Sequence, residues 1–417
     1  MNFREAYAIW SGGDEAPEIY HQWAGLSIVS NLVSRRVWCE QGMDVVMANL
    51  FVMFVGPAGN GKSTAMKKAR DIIRKHSKHC PIPPRAQTHQ SLIQDLADDD
   101  SDYKKEFDWH DKKIPYSHAS MFCNEFITLL GADPLGIVGF LTDIYDDDSY
   151  EYKIKNPPAG GNKLDHIQNP YITLLGCMTP EKTSGVIKEG IVSTGFSRRC
   201  IFVYATRSTK AIPRRQITTE QFEALAVIEQ WSGRMIHLTG QFTWTKEAEV
   251  FFDAWYFKNK KLIMTVNDSF FASWLNSKDQ IVVKVAMILT LMTEETLDMT
   301  LKPDAIKEAI KLLDQTELHF PRIFSGAGRN PIAAIAAKMH AVVAEAAEPL
   351  NLKKLRYLMR DHGKNDELDE AIENLREDGT VEIQSVVKNQ TAITLVGVPG
   401  SFQSSGESAL SIDLRET

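Results

Sequence analysis

The chain has little cysteine: five residues, Cys39, Cys80, Cys123, Cys177 and Cys200, odd in number and widely scattered over 417 positions. That excludes a disulfide framework, and the cysteines inside apolar runs read as small buried thiols. "HSKHC" (His76, His79, Cys80) has the composition of a metal site, yet a structural zinc needs four ligands and no second cluster completes it. Long apolar runs are also missing, since no stretch reaches the roughly 18 residues that a membrane helix requires. The start, "MNFREAYAIWSGGDEAPE", lacks the basic segment and apolar block of a secretion signal, so the expectation is a cytoplasmic protein with no membrane partner. An excess of positive charge is missing as well. A net charge of −7 is the wrong sign for a protein that coats nucleic acid, and any such contact must be local.

What is present is a globular composition, 43% apolar and 24% charged. The length exceeds the roughly 250 to 300 residues at which single cores stop growing, so several domains are expected. Residues 1–48 read as an N-terminal helical segment, because "EIYHQWAGLSIVSNLVSRRVW" spaces its large apolar residues at helical period. Residues 49–210 alternate buried strand candidates, "LFVMFV", "ASMFCN", "YITLLGCM" and "CIFVYA", with helical stretches, the pattern of an α/β domain built on a mainly parallel sheet. Residues 211–324 turn helical, with "TKEAEVFFDAWYFKNKKLI", "KDQIVVKVAMILTLM" and "KPDAIKEAIKLLDQTELHF" as three helices. "SGAGRNP" reads as a linker, and residues 325–398 give three helices followed by two β-prone runs, the order of a winged helix. The polar tail, residues 399–417, is expected to be disordered.

One stretch carries specific chemistry. Gly56-Pro57-Ala58-Gly59-Asn60-Gly61-Lys62-Ser63, running on into Thr64, satisfies G-x-x-x-x-G-K-[ST] between a strand and a helical pattern. Backbone N–H groups of such a turn wrap phosphates and the following helix aims its positive end at them. Lys62 would reach the β and γ phosphates and Ser63 would ligate Mg²⁺, which makes ATP and magnesium the expected ligands. Further on, "ASMFCNEF" places Asn124 and Glu125 at the end of an apolar strand. The sensor-like Thr179 ends "YITLLGCMT", and Arg198 and Arg199 stand just before "CIFVYA".

In this order the motifs resemble the P-loop ATPases of the AAA+ type. The resemblance implies that Glu125 is the general base, that Thr179 is the first sensor, and that Arg198, with Arg199 as runner-up, is the arginine finger acting on a neighbouring subunit. A guanidinium suits that task because it stays charged and offers a bidentate fork to phosphate. Asn124 departs from the pattern by standing where a metal-associated aspartate would be; it can still accept a hydrogen bond from a metal-bound water, but it carries no charge. The helical region takes the place of the AAA+ lid, which makes Lys284 a candidate second phosphate-sensing cation. A finger acting in trans implies a homo-oligomer, and by resemblance a hexameric ring.

"YEYKIK" and "KLDHIQ" flank Pro157, Pro158, Gly160 and Gly161 and read as a hairpin. Its position before the sensor strand resembles the pre-sensor hairpin of superfamily 3 helicases, so Lys153, Lys155 and Lys163 are the candidate contacts to DNA phosphates. Over roughly the first 300 residues the chain also looks like helicase-like P-loop proteins of phages and mobile elements found alongside primases. The expectation is a ring-forming ATPase acting on single-stranded or forked DNA in such replication, in a bacterial host's cytoplasm if phage-encoded, with a primase among its possible partners. The alternatives are a helicase loader, and a nucleotide-gated DNA-binding or assembly protein with weak or no hydrolysis. In the winged-helix candidate, the groove-reading helix "ELDEAIENLRED" is acidic, while Lys353, Lys354, Arg356, Arg360 and Lys364 concentrate on the preceding helix and turn.

Overall fold

The computed structural model describes residues 1–85, 87–131, 133–154, 163–180, 195–206, 210–214, 216–264, 266, 269–324, 339, 342, 352–359, 365–377, 381–386 and 390–395. The chain divides into two compact units, Met1–Ile323 and Phe324–Thr417. The first unit takes in the N-terminal, P-loop and lid segments together.

At its centre lies a sheet in the order β4-β5-β8-β3-β9. The four apolar runs form β3 (Phe51–Val55), β5 (Lys112–Cys123), β8 (Pro170–Met178) and β9 (Cys200–Tyr204). All of β3 and β8 is buried, which explains why these runs show no polar alternation. β3 pairs parallel with both β8 and β9, and β5 pairs parallel with β8. The edge strand β4 (Lys104–Trp109) is antiparallel to β5. Their two-residue turn, His110-Asp111, has positive φ at both positions (44° and 60°), the twist-matched geometry of a tight hairpin.

Helix α1 (Phe3–Ser11) opens on a capping box made by Asn2 and Glu5. Helix α2 (Glu18–Val33) is buried almost throughout, and several of its polar residues bond inside the core. The Ser30 hydroxyl donates to Ala48 O at 2.7 Å, Thr173 donates to Asn31 Oδ1 at 2.5 Å, and Tyr171 donates to Ser30 O at 2.7 Å. α2 is thereby pinned to β8, with Trp23 fully enclosed.

A second sheet has the order β11-β10-β1-β2, from β1 (Val37–Gln41), β2 (Asp44–Met47), β10 (Gly240–Trp244) and β11 (Thr300–Leu301). It corrects the purely helical reading of residues 1–48 and 211–324, for it ties the two regions together through parallel β1–β10 pairing. The three helices expected in the latter region are present as α8 (Lys246–Ile263), α9 (Ser269–Thr293) and α10 (Pro303–Glu317), preceded by a further helix, α7 (Thr219–Met235). Before them come α3 (Lys62–Lys75), α4 (His89–Ala97), α5 (Phe126–Leu130) and α6 (Pro134–Asp143). β6 (Ser149–Ile154) and β7 (Lys163–Gln168) pair antiparallel as the expected hairpin, whose tip lies outside the described residues. Its base packs on α6 through Phe140 and Tyr150, 5.1 Å between ring centroids.

In the second unit, α11 (Leu352–Met359) and α12 (Asn365–Glu377) precede an antiparallel pair, β12 (Val381–Val386) and β13 (Gln390–Leu395). Arg356 on α11 pairs with Asp369 on α12. The linker, most of the first expected helix, Arg360, Lys364 and the tail fall outside the described residues.

Candidate functional site

The turn Gly56–Gly61 follows β3 directly and leads into α3. Parallel pairing puts the C-terminal ends of β3, β8 and β5 on one sheet edge, with β8 between the other two. Gly56 N–H donates to Met178 O at 3.3 Å, which sets the residue after Met178, the half-buried Thr179, beside the turn. Asn124 and Glu125 follow β5 at the same edge, and both are exposed.

Cys177 reports how close the pieces are. Burial, with the Glu125 carboxylate adding, holds its thiol up at about 12 against the pull of the Lys62 charge and the adjoining Ser63 hydroxyl.

The loop itself is a cradle. Gly61 has φ +87° and Gly59 φ +78°, and a Cβ on Gly59 would meet nothing within 4 Å. That open face, at the start of a helix whose N-cap is a glycine without a side chain, fits a phosphate group. Lys62 is buried, and its Nζ donates to Gly56 O (2.5 Å), Pro57 O (2.6 Å) and Asn60 Oδ1 (3.2 Å).

The back of the cradle is built from sequence that reads as mere N-terminal helix. Tyr20 OH donates to Val55 O at 2.7 Å and accepts from Asn60 Nδ2 at 3.0 Å, while Asn60 also donates to Ala205 O at 2.9 Å. Ala16 lies directly against Gly61. Asp14 holds this segment by accepting from Ala16 N–H at 2.9 Å and by pairing with His21 at 2.8 Å and Lys68 at 3.0 Å. Burial alone would raise the Asp14 carboxyl, but the hydrogen bond and charge of His21, with Ala16 N–H and Lys68, hold it well below the usual range. Beyond His21 opens a 390 Å³ cavity whose walls include Tyr7, Ser11, Leu26, Leu289 and Met292. Tyr7 OH and His21 Nδ1 are buried without a hydrogen-bond partner among the described residues. Sequence reasoning missed this wall; "GGDEAP" just before α2 was its one visible signal.

Arg198 and Arg199 lie elsewhere. They precede β9, and because β9 runs parallel to β3 they sit at the opposite sheet edge from the P-loop. Arg199 is committed: it bonds Asp146 Oδ2 at 3.2 Å and Gly195 O at 3.3 Å and lies over the Tyr145 ring. Arg198 keeps a buried Nε with no partner among the described residues.

Lys284, the candidate second phosphate-sensing cation, also belongs to that edge. Its Nζ is 2.7 Å from Asn49 Oδ1, 3.4 Å from Asp146 Oδ1 and 4.1 Å from the centre of the Tyr145 ring. Asn49 stands at the foot of β3, about 20 Å of extended chain from Gly56. The apolar helix places this lysine in the core, where it bonds Asn49 and pairs with Asp146. Together with Arg198 and Arg199 it lines a 280 Å³ cavity.

Of the hairpin lysines, Lys153 is exposed on β6, Lys163 opens β7, and Lys155 lies outside the described residues. Among the described residues no group of three or more His, Cys, Asp or Glu could hold a metal, and no helix is long and apolar enough to cross a membrane. Comparison of the chain with protein-family profiles and with curated proteins returns no match.

Proposed function

We propose that this chain is an AAA+-type ATPase that assembles head to tail into a ring, a hexamer by resemblance, and moves along or remodels DNA in phage or mobile-element replication. One observation carries the reading. The P-loop, Thr179 and Glu125 share one sheet edge, while Arg198, whose Nε has no partner among the described residues, stands at the opposite edge. Two half-sites on opposite edges suit a heterologous interface, in which each subunit supplies one half to each neighbour.

In this reading the triphosphate lies in the cradle with its base directed past Ala16 toward the 390 Å³ cavity. Lys62 exchanges the loop carbonyls for β and γ phosphate oxygens. Glu125 orients the attacking water and takes its proton, Thr179 positions the γ-phosphate, and Arg198 of a neighbour stabilises the charge that develops. Magnesium would be held by Ser63 and, through water, by Asn124, and would neutralise phosphate charge. The β6–β7 hairpin offers Lys153 to a DNA strand.

The uncharged Asn124 favours a second reading, an ATP-gated assembly protein with little turnover. Measuring ATP hydrolysis with and without single-stranded DNA, while oligomeric mass is followed, separates the two. A motor assembles with ATP, is stimulated by DNA, and loses hydrolysis in Lys62→Ala and Glu125→Gln. A chain that neither assembles nor responds to DNA is not a motor.

A further inference from the structure

The 280 Å³ cavity at the edge opposite the P-loop is built from two elements that pack together. The short turn Ser197–Arg199, ahead of β9, brings Arg198 and Arg199 to it, and α9 closes the other side. On α9, Asn276, Gln280 and Lys284 follow one another at intervals of four residues, so they form a row along one helix face. The row runs from the exposed Asn276 at the rim to the buried Lys284. Hydrogen-bond donors therefore line the space from both elements.

The cavity wall carries three positive side chains, Arg198, Arg199 and Lys284, and two carboxylates, Asp146 and Asp279. Asp146 is used within the wall, where it accepts from Arg199 Nε at 3.2 Å and from Lys284 Nζ at 3.4 Å. Asp279 opposes an incoming anion. Burial raises its carboxyl above the usual range, with the Lys260 charge pulling it back. Arg198 is the group left over: half-buried in the wall, it has no hydrogen bond or ion pair among the described residues. A guanidinium cannot shed its proton, so one positive charge stays in excess and the fitting occupant is an anion.

We infer that this cavity is a phosphate-binding site that the single chain already possesses, open to free inorganic phosphate as well as to the phosphate of a neighbour's nucleotide. Arg198 offers its fork from the β9 side, and Gln280 offers its amide from α9. Asn276 spends one N–H on Ala272 O at 3.0 Å and keeps the other. Lys284 and Arg199 hold Asp146 away from Arg198 by engaging it themselves. Donors on two elements favour a tetrahedral oxyanion, whose oxygens point several ways, over a flat carboxylate, which one fork satisfies. Binding of free phosphate does not rest on the ring reading. Its consequence does: free phosphate and a neighbour's nucleotide would compete for Arg198, so phosphate would oppose assembly.

The test is calorimetric titration of the full chain carrying Lys62→Ala, which removes the P-loop's own hold on phosphate, with inorganic phosphate and separately with acetate at constant ionic strength. The expected result is saturable phosphate binding, with acetate weaker by about tenfold or more. Adding Arg198→Ala should weaken phosphate binding by about tenfold or more. Adding Asp279→Asn should tighten it, because the opposing charge is gone, and a damaged fold does not produce tighter binding. Absence of phosphate binding, acetate bound as well as phosphate, or binding indifferent to both substitutions overturns the inference. A second arm follows the oligomeric mass of the wild-type chain with its P-loop saturated by a non-hydrolysable ATP analogue. If phosphate raises the protein concentration at which oligomers form, the neighbour's nucleotide uses the same cavity. If assembly ignores phosphate, the cavity serves free phosphate alone. A chain that never assembles sinks the ring reading, while the first arm still decides the site.

Discussion

Two glycines of the P-loop have similar backbones and different surroundings, and the difference can be measured. At Gly61 a Cβ would lie 2.7 Å from Ala16 Cα, a backbone contact that cannot rotate away, and φ is +87°. At Gly59, φ is +78° but the space is open. Gly59→Ala should cost only the left-handed strain of about 1 to 2 kcal/mol. Gly61→Ala should cost more than that and displace the Asp14–Ala16 segment, so nucleotide binding is lost. Paired thermal melts and titrations with a fluorescent ATP analogue check the ranking. Equal losses in the two variants would mean that Ala16 does not brace the loop. The motif alone announces both glycines, but which one is braced from behind is set by a segment some 45 positions earlier in the chain.

Among the elements, α9 shows what the sequence conceals. Its apolar pattern is plain, and the run was readable as a helix, yet the task of Lys284 depended on what the helix packs against. Burial lowers the Lys284 pKa from 10.5 to about 8, although Asp146 pulls the other way. Between these two values the unfolded chain holds a proton at this position that the folded chain has released. Stability therefore rises with pH across that window, and below about pH 8 the folded state carries the cost of a buried cation. Relative to Lys284→Met, the wild type should gain about 3 kcal/mol between pH 8 and 10.5. Denaturant unfolding of both proteins at matched pH isolates the effect, because the other titrations cancel in the difference. A difference that stays flat with pH would place Lys284 in water. The short strands were hidden for another reason. β10 and β11 span five and two residues and gain their identity from pairing with β1 and with each other, which no local period reveals. The β4–β5 turn, His110-Asp111, adopts positive φ without the Asn-Gly or Asp-Gly that announces such a turn. The strand ending at Val55, the turn and α3 were legible because phosphate-loop chemistry is confined to contiguous residues. The convergence of Glu125 and Thr179 on that loop required the sheet order.

At the scale of the whole molecule, the decisive question is whether one chain holds a complete site. The length of β3 separates the P-loop edge from the edge of Arg198 and Arg199, and Arg199 is already engaged with Asp146, Gly195 and Tyr145. A finger acting within the chain would have to cross the sheet, whereas a finger acting on a neighbour needs only head-to-tail stacking of opposite edges. Mixing two inactive chains distinguishes these cases. In a ring assembled from equal parts of Lys62→Ala and Arg198→Ala subunits, an interface is intact where an Arg198→Ala subunit supplies the P-loop and a Lys62→Ala subunit supplies the arginine. Random assembly gives that arrangement at about one interface in four, so ATP hydrolysis should return to about a quarter of the wild-type rate per site. Arg199→Ala in place of Arg198→Ala should give a different pattern, because losing the Asp146 bond loosens the start of β9 in its own subunit. Its defect should appear first as a lower melting temperature. If the mixture stays as inactive as its components while both variants still assemble, Arg198 does not complete a neighbour's site and the ring reading loses its geometric support.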